Sequence, residues 1–222
     1  MPARSPALPS THGLSYDPDQ AVNHLASADP HLARVIEQAG PFTLQLRPIE
    51  DVFQPLLRSI VYQQLSGKAA ATIYGRVEAL AGGGPIRPET ILALTDESLR
   101  AAGLSRNKMA AARDLASKVL DGALPSLDEI RTMSNEEIIR HLTQVRGIGP
   151  WTVEMLLIFS LGRPDVLPVT DLGVRKGYML AYGGDTLPSA ASLLEAGERW
   201  RPYRSVASWY FWRAVDMKQL PG

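Results

Sequence analysis

The chain has 222 residues, 45% of them hydrophobic and 21% charged, with 23 basic side chains against 23 acidic ones. A chain of this length buries roughly 70% of the surface it exposes when unfolded, enough for one substantial domain or two small lobes. Zero cysteines exclude disulfides, thiolate zinc sites, iron–sulfur clusters and cysteine nucleophiles; the four scattered histidines offer no ligand spacing, and the balanced charge carries no global signal of a polyanionic partner.

The opening MPARSPALPSTHG holds Pro and Ser but no continuous apolar segment, so it reads as a flexible tail over residues 1–15 and not as a secretory signal. No apolar run approaches the about 18 residues that span a bilayer. The chain is therefore expected to stay inside the cell, cytoplasmic and nucleoid-associated if bacterial or nuclear if eukaryotic, with no membrane partner. Residues 16–222 read as one helical unit. FTLQLRP near Phe42 is a short strand or a lone extended segment. In FQPLLRSIVYQQL the apolar residues Phe53, Leu56, Leu57, Ile60 and Val61 recur at helical spacing, and KAAATIYGRVEAL repeats the pattern after the Ser66-Gly67 break. ETILALTDESLRAAG and KMAAARDLASKVLDG follow as helices. SLDEI and SNEEIIRHL open with capping boxes in which Ser126 faces Glu129 and Ser134 faces Glu137.

Two apolar helical patterns then meet at a tight turn, giving a hairpin over about residues 135–161. Gly147 and Gly149 flank Ile148, so the backbone turns sharply, and Pro150 stands at the first position of the second helix, where a missing N–H costs nothing. The positive end of that helix points out of the loop and favours an anion, although most such turns merely connect helices. RPDVLPVTD, with Pro164 and Pro168, is an extended connection over about residues 163–171, followed by helical DLGVRKGYMLAY and SAASLLEAGERW. The last helix, within RWRPYRSVASWYFWR, interleaves Arg199, Arg201, Arg204 and Arg213 with six aromatics and no acid. It is either a local nucleic-acid surface or an amphipathic helix with an arginine-rich solvent face, and composition favours the second. The reading is an all-α protein without internal repeats.

VRGIGPWTVEMLLIFSLGRPDVLPVTDLGVRKG resembles the helix-hairpin-helix DNA glycosylase superfamily, in which the hairpin is followed by a Pro-rich connection and an essential Asp, here Asp171. The closest resemblance is to the alkylation-repair branch, the 3-methyladenine DNA glycosylase II type. Trp151, twenty residues before Asp171, stands where bifunctional glycosylase/lyases place a lysine. SIVYQQLSGKAAATI and RWRPYRSVASWYFW extend the likeness over about residues 50–215. It implies two helical lobes with a DNA-binding cleft between them. About 45 residues precede the first core helix, too few for the N-terminal β-domain of many relatives beside a tail, so a compact form is expected.

The resemblance also implies roles. Asp171 would stabilise a cationic sugar and orient the attacking water; a plain N-cap is the simpler role, and the two are compatible. Trp151 and Trp212 would stack on a cationic alkylated base, with Glu154 and Met155 beside them; Met155 departs from the tyrosine of some relatives. Leu65 would wedge into the vacated base stack, or sit buried at a helix end. Gln63 and Gln64 would reach base edges or cap the helix. Gly147, Ile148 and Gly149 would bind a phosphate, with Arg146, Arg175, Lys176 and Arg204 as further phosphate contacts. The carbonyls of Thr143, Val145 and Ile148 would hold a structural Na⁺ or K⁺, no other cofactor being required. The implied activity is monofunctional: a monomer acting on double-stranded DNA, releasing 3-methyladenine or 7-methylguanine and leaving an abasic site. The alternatives are a non-catalytic helix-hairpin-helix DNA-binding module and a helical scaffold that docks a protein through its aromatic last helix.

Overall fold

The computed structural model describes residues 13–219; residues 1–12, most of the expected tail, and residues 220–222 lie outside the described residues. Among the described residues there is no strand. The helices are, in chain order, α1 (Pro18–Ala28), α2 (Pro30–Ala39), α3 (Phe53–Tyr62), α4 (Gly67–Leu80), α5 (Pro88–Ala93), α6 (Asp96–Ala102), α7 (Arg106–Leu120), α8 (Leu127–Thr132), α9 (Asn135–Leu142), α10 (Pro150–Phe159), α11 (Leu172–Ala181), α12 (Ala190–Ala196) and α13 (Arg204–Gln219), with a 3₁₀ turn at Gly197–Trp200. FTLQLRP is a lone extended segment: Phe42 and Leu44 are buried while Pro41, Thr43 and Gln45 are exposed.

The first two helices lie where no core helix was expected. Each begins with an Asp-Pro pair, the Asp side chain capping the first amides and the Pro supplying an N–H-free first position: Asp17 accepts from Asp19 and Gln20, Asp29 from His31 and Leu32. That local signal was present in DPDQ and DPHL. The expected helix ETILALTDESLRAAG is two, because Thr95 caps α6 by accepting from Ser98 N. Both capping boxes close as expected, at Ser126/Glu129 and Ser134/Glu137.

The chain divides into two compact units, Pro48–Leu156 and the discontinuous Met1–Arg47 with Leu157–Gly222. The first is built around α3, α5 and α7, whose Phe53, Leu56, Leu57, Ile60, Ile91, Ala112 and Leu115 are all but fully buried. Each such large apolar side chain contributes about 1.5–3 kcal/mol by leaving water. The second unit is organised around α13, which packs on α2 and most extensively on α11. Here the arginine-rich solvent face does not materialise: the stretch Arg204–Ser208 is buried, as are Tyr210 and Phe211, because the first half of the helix is enclosed by its neighbours, while Arg213 and Asp216 farther on reach the surface. Gly177 makes the α11 contact possible. A Cβ there would stand 2.0 Å from the Phe211 carbonyl oxygen, so only glycine lets the two backbones approach this closely.

Candidate active site

In the Pro48–Leu156 unit, the seven-residue stretch between α9 and α10 forms the hairpin turn. Gly147 adopts φ +78°, a left-handed conformation that favours glycine, and a Cβ there would meet the methyl of Ala111 on α7 at 3.4 Å. The turn is tied to α7: the Arg146 amide donates to Asp114 Oδ2 at 2.7 Å, and Lys118 pairs with Asp114 Oδ1 at 2.5 Å. Burial works to raise the Asp114 carboxyl, but these partners outweigh it and hold it below the usual carboxylate range. The Arg146 amide is thus committed to Asp114, whereas the amides of Gly147 and Gly149 donate to no group among the described residues. They are the donors left for an anion. The Val145 carbonyl accepts the Ile148 amide at 3.0 Å, and those of Thr143 and Ile148 accept no hydrogen bond among the described residues. Three peptide oxygens with spare lone pairs suit the hard-donor chemistry of a monovalent cation.

The turn between α3 and α4 is braced against the same hairpin. Gln63 Nε2 donates to the Gly147 carbonyl at 2.8 Å, while Lys108 from α7 donates to the carbonyls of Val61 and Gln63, each at 2.7 Å. Desolvation pushes the Lys108 ammonium below its ordinary value. The Gln63 amide nitrogen fastens one loop to the other. Gln64 has φ +57°, sparsely populated for a residue with a Cβ, and such conformations persist only where surrounding structure holds them. On this fixed turn Leu65 is 39% exposed instead of buried. Trp151 stands at the start of α10 with 46% of its surface exposed, and Glu154 and Met155, one turn later, are half-buried. Three to four residues apart, these side chains share a face.

In the other unit, Asp171 is the N-cap of α11. Its Oδ1 accepts two hydrogen bonds of 2.8 Å, from the Val174 amide and from the indole Nε1 of Trp212 on α13. The Trp212 ring stacks on Phe159 with centroids 5.4 Å apart, and beside it opens a recess of about 580 Å³ lined by Phe159, Trp209, Trp212 and Arg213 among others. Asp171 and Trp212, 41 residues apart in sequence, are thus one hydrogen-bonded group.

The basic residues named for phosphate divide. Lys176 is exposed, and Arg146 has an exposed side chain. Arg175 Nε donates to the Pro188 carbonyl at 2.9 Å and is half-buried. Arg204 overturns the expectation. Its side chain is only 9% exposed and grips Asp165 with two bonds, Nε to Oδ1 at 2.5 Å and Nη2 to Oδ2 at 3.0 Å, with Glu198 at 3.6 Å. A buried guanidinium engaged in this way is out of reach of a phosphate, and breaking the pair would strand a buried charge. Arg201 joins the same carboxylate and Arg213 pairs with Asp216, so the basic run is largely neutralised. Its work is internal: Arg201 and Arg204 hold Asp165, Ser205 Oγ donates to the Arg163 carbonyl and accepts from Val166 N, and Ser205 N donates to the Pro164 carbonyl. α13 thereby stitches down the connection that delivers Asp171.

The family described as "HhH-GPD superfamily base excision DNA repair protein" matches residues 57–202. The chain belongs to this superfamily. Among superfamily members, DNA-3-methyladenine glycosylase 1 of Schizosaccharomyces pombe is 37% identical over 197 residues, covering 87% of this chain and 86% of the relative. A solved 3-methyladenine DNA glycosylase from the same yeast, in complex with abasic DNA, superposes with a TM-score of 0.81 at 34% identity over 91% of this chain and 100% of that one. The crystal structure of a DNA-3-methyladenine glycosidase from Bacillus halodurans gives 0.80 at 40% identity, covering 90% of this chain and 91% of that one. Within this superfamily member, the residues that sequence reasoning missed are Lys108, Asp114 and Gly173, all of which act by holding others. Only Gly173, a glycine inside a helical pattern two residues after Asp171, left a trace in the sequence.

Proposed function

We propose that the protein is a monofunctional DNA glycosylase that extrudes alkylated purines from duplex DNA and hydrolyses their N-glycosidic bond. The observation that carries this reading is Asp171, a carboxylate fixed by two donors at a helix mouth, in a chain 37% identical over 197 residues to a named DNA-3-methyladenine glycosylase. Alkylation at a ring nitrogen makes the base cationic, so it departs with the glycosidic electron pair as a neutral leaving group. The sugar passes through an oxocarbenium-like state, the oxygen of water bonds to C1′, and a water proton goes to the Asp171 carboxylate or to solvent. A carboxylate near the developing cation stabilises it, and rigidity means that this stabilisation requires no reorganisation.

The other parts follow from their placement. The exposed ring of Trp151 offers a stacking face to an electron-poor base, as does that of Trp212. Leu65, held out on a strained and braced turn, enters the gap left by the flipped nucleotide. The Gly147 and Gly149 amides take a DNA phosphate, with Arg146 contributing charge beside them, and Lys176 of the other unit makes a phosphate contact of its own. The carbonyls of Thr143, Val145 and Ile148 would hold a Na⁺ or K⁺, which supplies positive charge beside that phosphate and takes no part in bond cleavage. Trp151 in place of a lysine leaves no amine there for a Schiff base, hence no strand cleavage.

Base release from methylated duplex, monitored by chromatography, tests the reading. Free 3-methyladenine or 7-methylguanine should appear in the presence of EDTA, with the strand cut only after alkali. Duplex binding without any base release would leave a DNA-binding module instead. Leu65→Ala should slow excision about ten-fold on fully paired duplex, reflecting part of the few kcal/mol of unpairing and unstacking, and much less on a mismatched lesion. Equal slowing on both substrates would mean that Leu65 serves packing.

A further inference from the structure

Gly173 lies two residues past the proposed catalytic carboxylate, in the first turn of α11, where glycine weakens a helix and therefore needs a reason. A Cβ at this position would stand 2.6 Å from Trp212 Cδ1, 2.9 Å from Trp212 Nε1 and 3.1 Å from Asp171 Oδ1. The indole cannot yield easily, because it is stacked on Phe159 and its N–H is spent on Asp171. The absent side chain is thus the seat of the ring, and the ring holds the carboxylate.

Resting on the glycosylase reading, we infer that Gly173 and Trp212 form a positioning device for Asp171, so that Trp212 promotes catalysis through its N–H as well as through any contact of its ring with a base. A helix N-cap alone leaves a carboxylate free to exchange its two oxygens by rotating about its last torsion. A second donor from a different helix, aimed at the same Oδ1 that accepts from Val174, holds that oxygen in place and sets the plane of the carboxylate. Gly173 sets specificity at this point by admitting a bicyclic indole flush against the helix, and no larger residue there permits that approach.

The test replaces Trp212 by β-(3-benzothienyl)alanine, which keeps the bicyclic aromatic face and exchanges the N–H for sulfur. Single-turnover excision from methylated duplex is measured in the otherwise native enzyme and in Asp171→Asn, with thermal melting and abasic-duplex binding on the same preparations. The expected result is a maximal rate lowered about ten- to hundred-fold, the cost of one lost hydrogen bond to a charged group, with the half-saturating enzyme concentration unchanged. In Asp171→Asn the same replacement should alter the residual rate by no more than about two-fold, since coupled residues do not add. Gly173→Ala should lower the rate of the native enzyme and add little to the benzothienyl variant. Equal losses in both backgrounds, or a weakened half-saturation with the rate retained, would make Trp212 a stacking residue only and overturn the inference. So would a folded Gly173→Ala enzyme of native rate. Failure of the unmodified enzyme to release any base would instead remove the glycosylase reading itself.

Discussion

Asp171→Asn should yield a protein that folds, binds duplex DNA and excises on the order of 10² to 10³ times more slowly than the native enzyme, the usual cost of removing one preorganised electrostatic group. Oδ1 accepts from the Val174 amide and from the Trp212 indole, and asparagine retains an oxygen able to accept both. Asparagine also caps a helix as well as aspartate does, so α11 should keep its N-terminus. What disappears is the negative charge that would face the cationic sugar. Affinity for an abasic-site duplex should hold or rise, because a negative charge has been removed near a polyanion. Single-turnover excision, thermal melting and duplex affinity measured side by side decide the matter. A folded, DNA-binding variant of near-native rate would reduce Asp171 to a capping residue.

The second large effect concerns stability and lies away from the chemistry. Asp29 is fully buried, and its two oxygens have different duties: Oδ1 caps α2 through the amides of His31 and Leu32, while Oδ2 accepts from the hydroxyl of Tyr182 and from Trp200 Nε1 at 2.8 Å. Asp29→Asn preserves the cap but turns an amide N–H₂ toward two ring donors. Losing these bonds to a charged acceptor and stranding buried donors should cost roughly 2–4 kcal/mol, or roughly 5–12 °C in Tm for a domain of this size. The effect should depend on pH in one direction. Burial works to raise the Asp29 carboxyl, but the Tyr182, Trp200 and backbone hydrogen bonds together outweigh it and hold it below the usual carboxylate value. A carboxylate with a lowered folded-state value adds stability above the unfolded value of about 3.9 and loses it as pH falls through the folded one. The gap in Tm between native protein and Asp29→Asn should therefore be constant from neutrality to about pH 4 and narrow below it. Excision per folded molecule at neutral pH should be unchanged. A gap that widened on acidification, or that was absent at pH 7, would show that Asp29 does not clamp these rings as an ionised group.

Secondary structure was readable because its causes are local. Serine capping boxes, Pro150 at the head of a helix and the Gly147-Ile148-Gly149 turn each act within four residues, and each appears where the sequence places it. Even α1 and α2, overlooked in the sequence reading, carry the local Asp-Pro signature. Residue types also narrowed the chemistry, since the absence of cysteine pointed to carboxylates, hydroxyls, amides or aromatics. Tertiary structure alone decided which partner each polar side chain takes. Arg204 was expected at a phosphate from the family resemblance; its main partner, Asp165, lies 39 residues back. Trp212 read from the sequence as a stacking ring; the fold adds that its N–H meets Asp171 across 41 residues, over a glycine whose value is the absence of a Cβ. Gln63, open in the sequence between base edges and helix capping, has its amide nitrogen on a hairpin carbonyl 84 residues on. The physical reason is the same in each case. A helix forms from short-range hydrogen bonds that its own residues dictate, whereas a buried charge or ring donor must be matched by whatever the packed chain brings beside it.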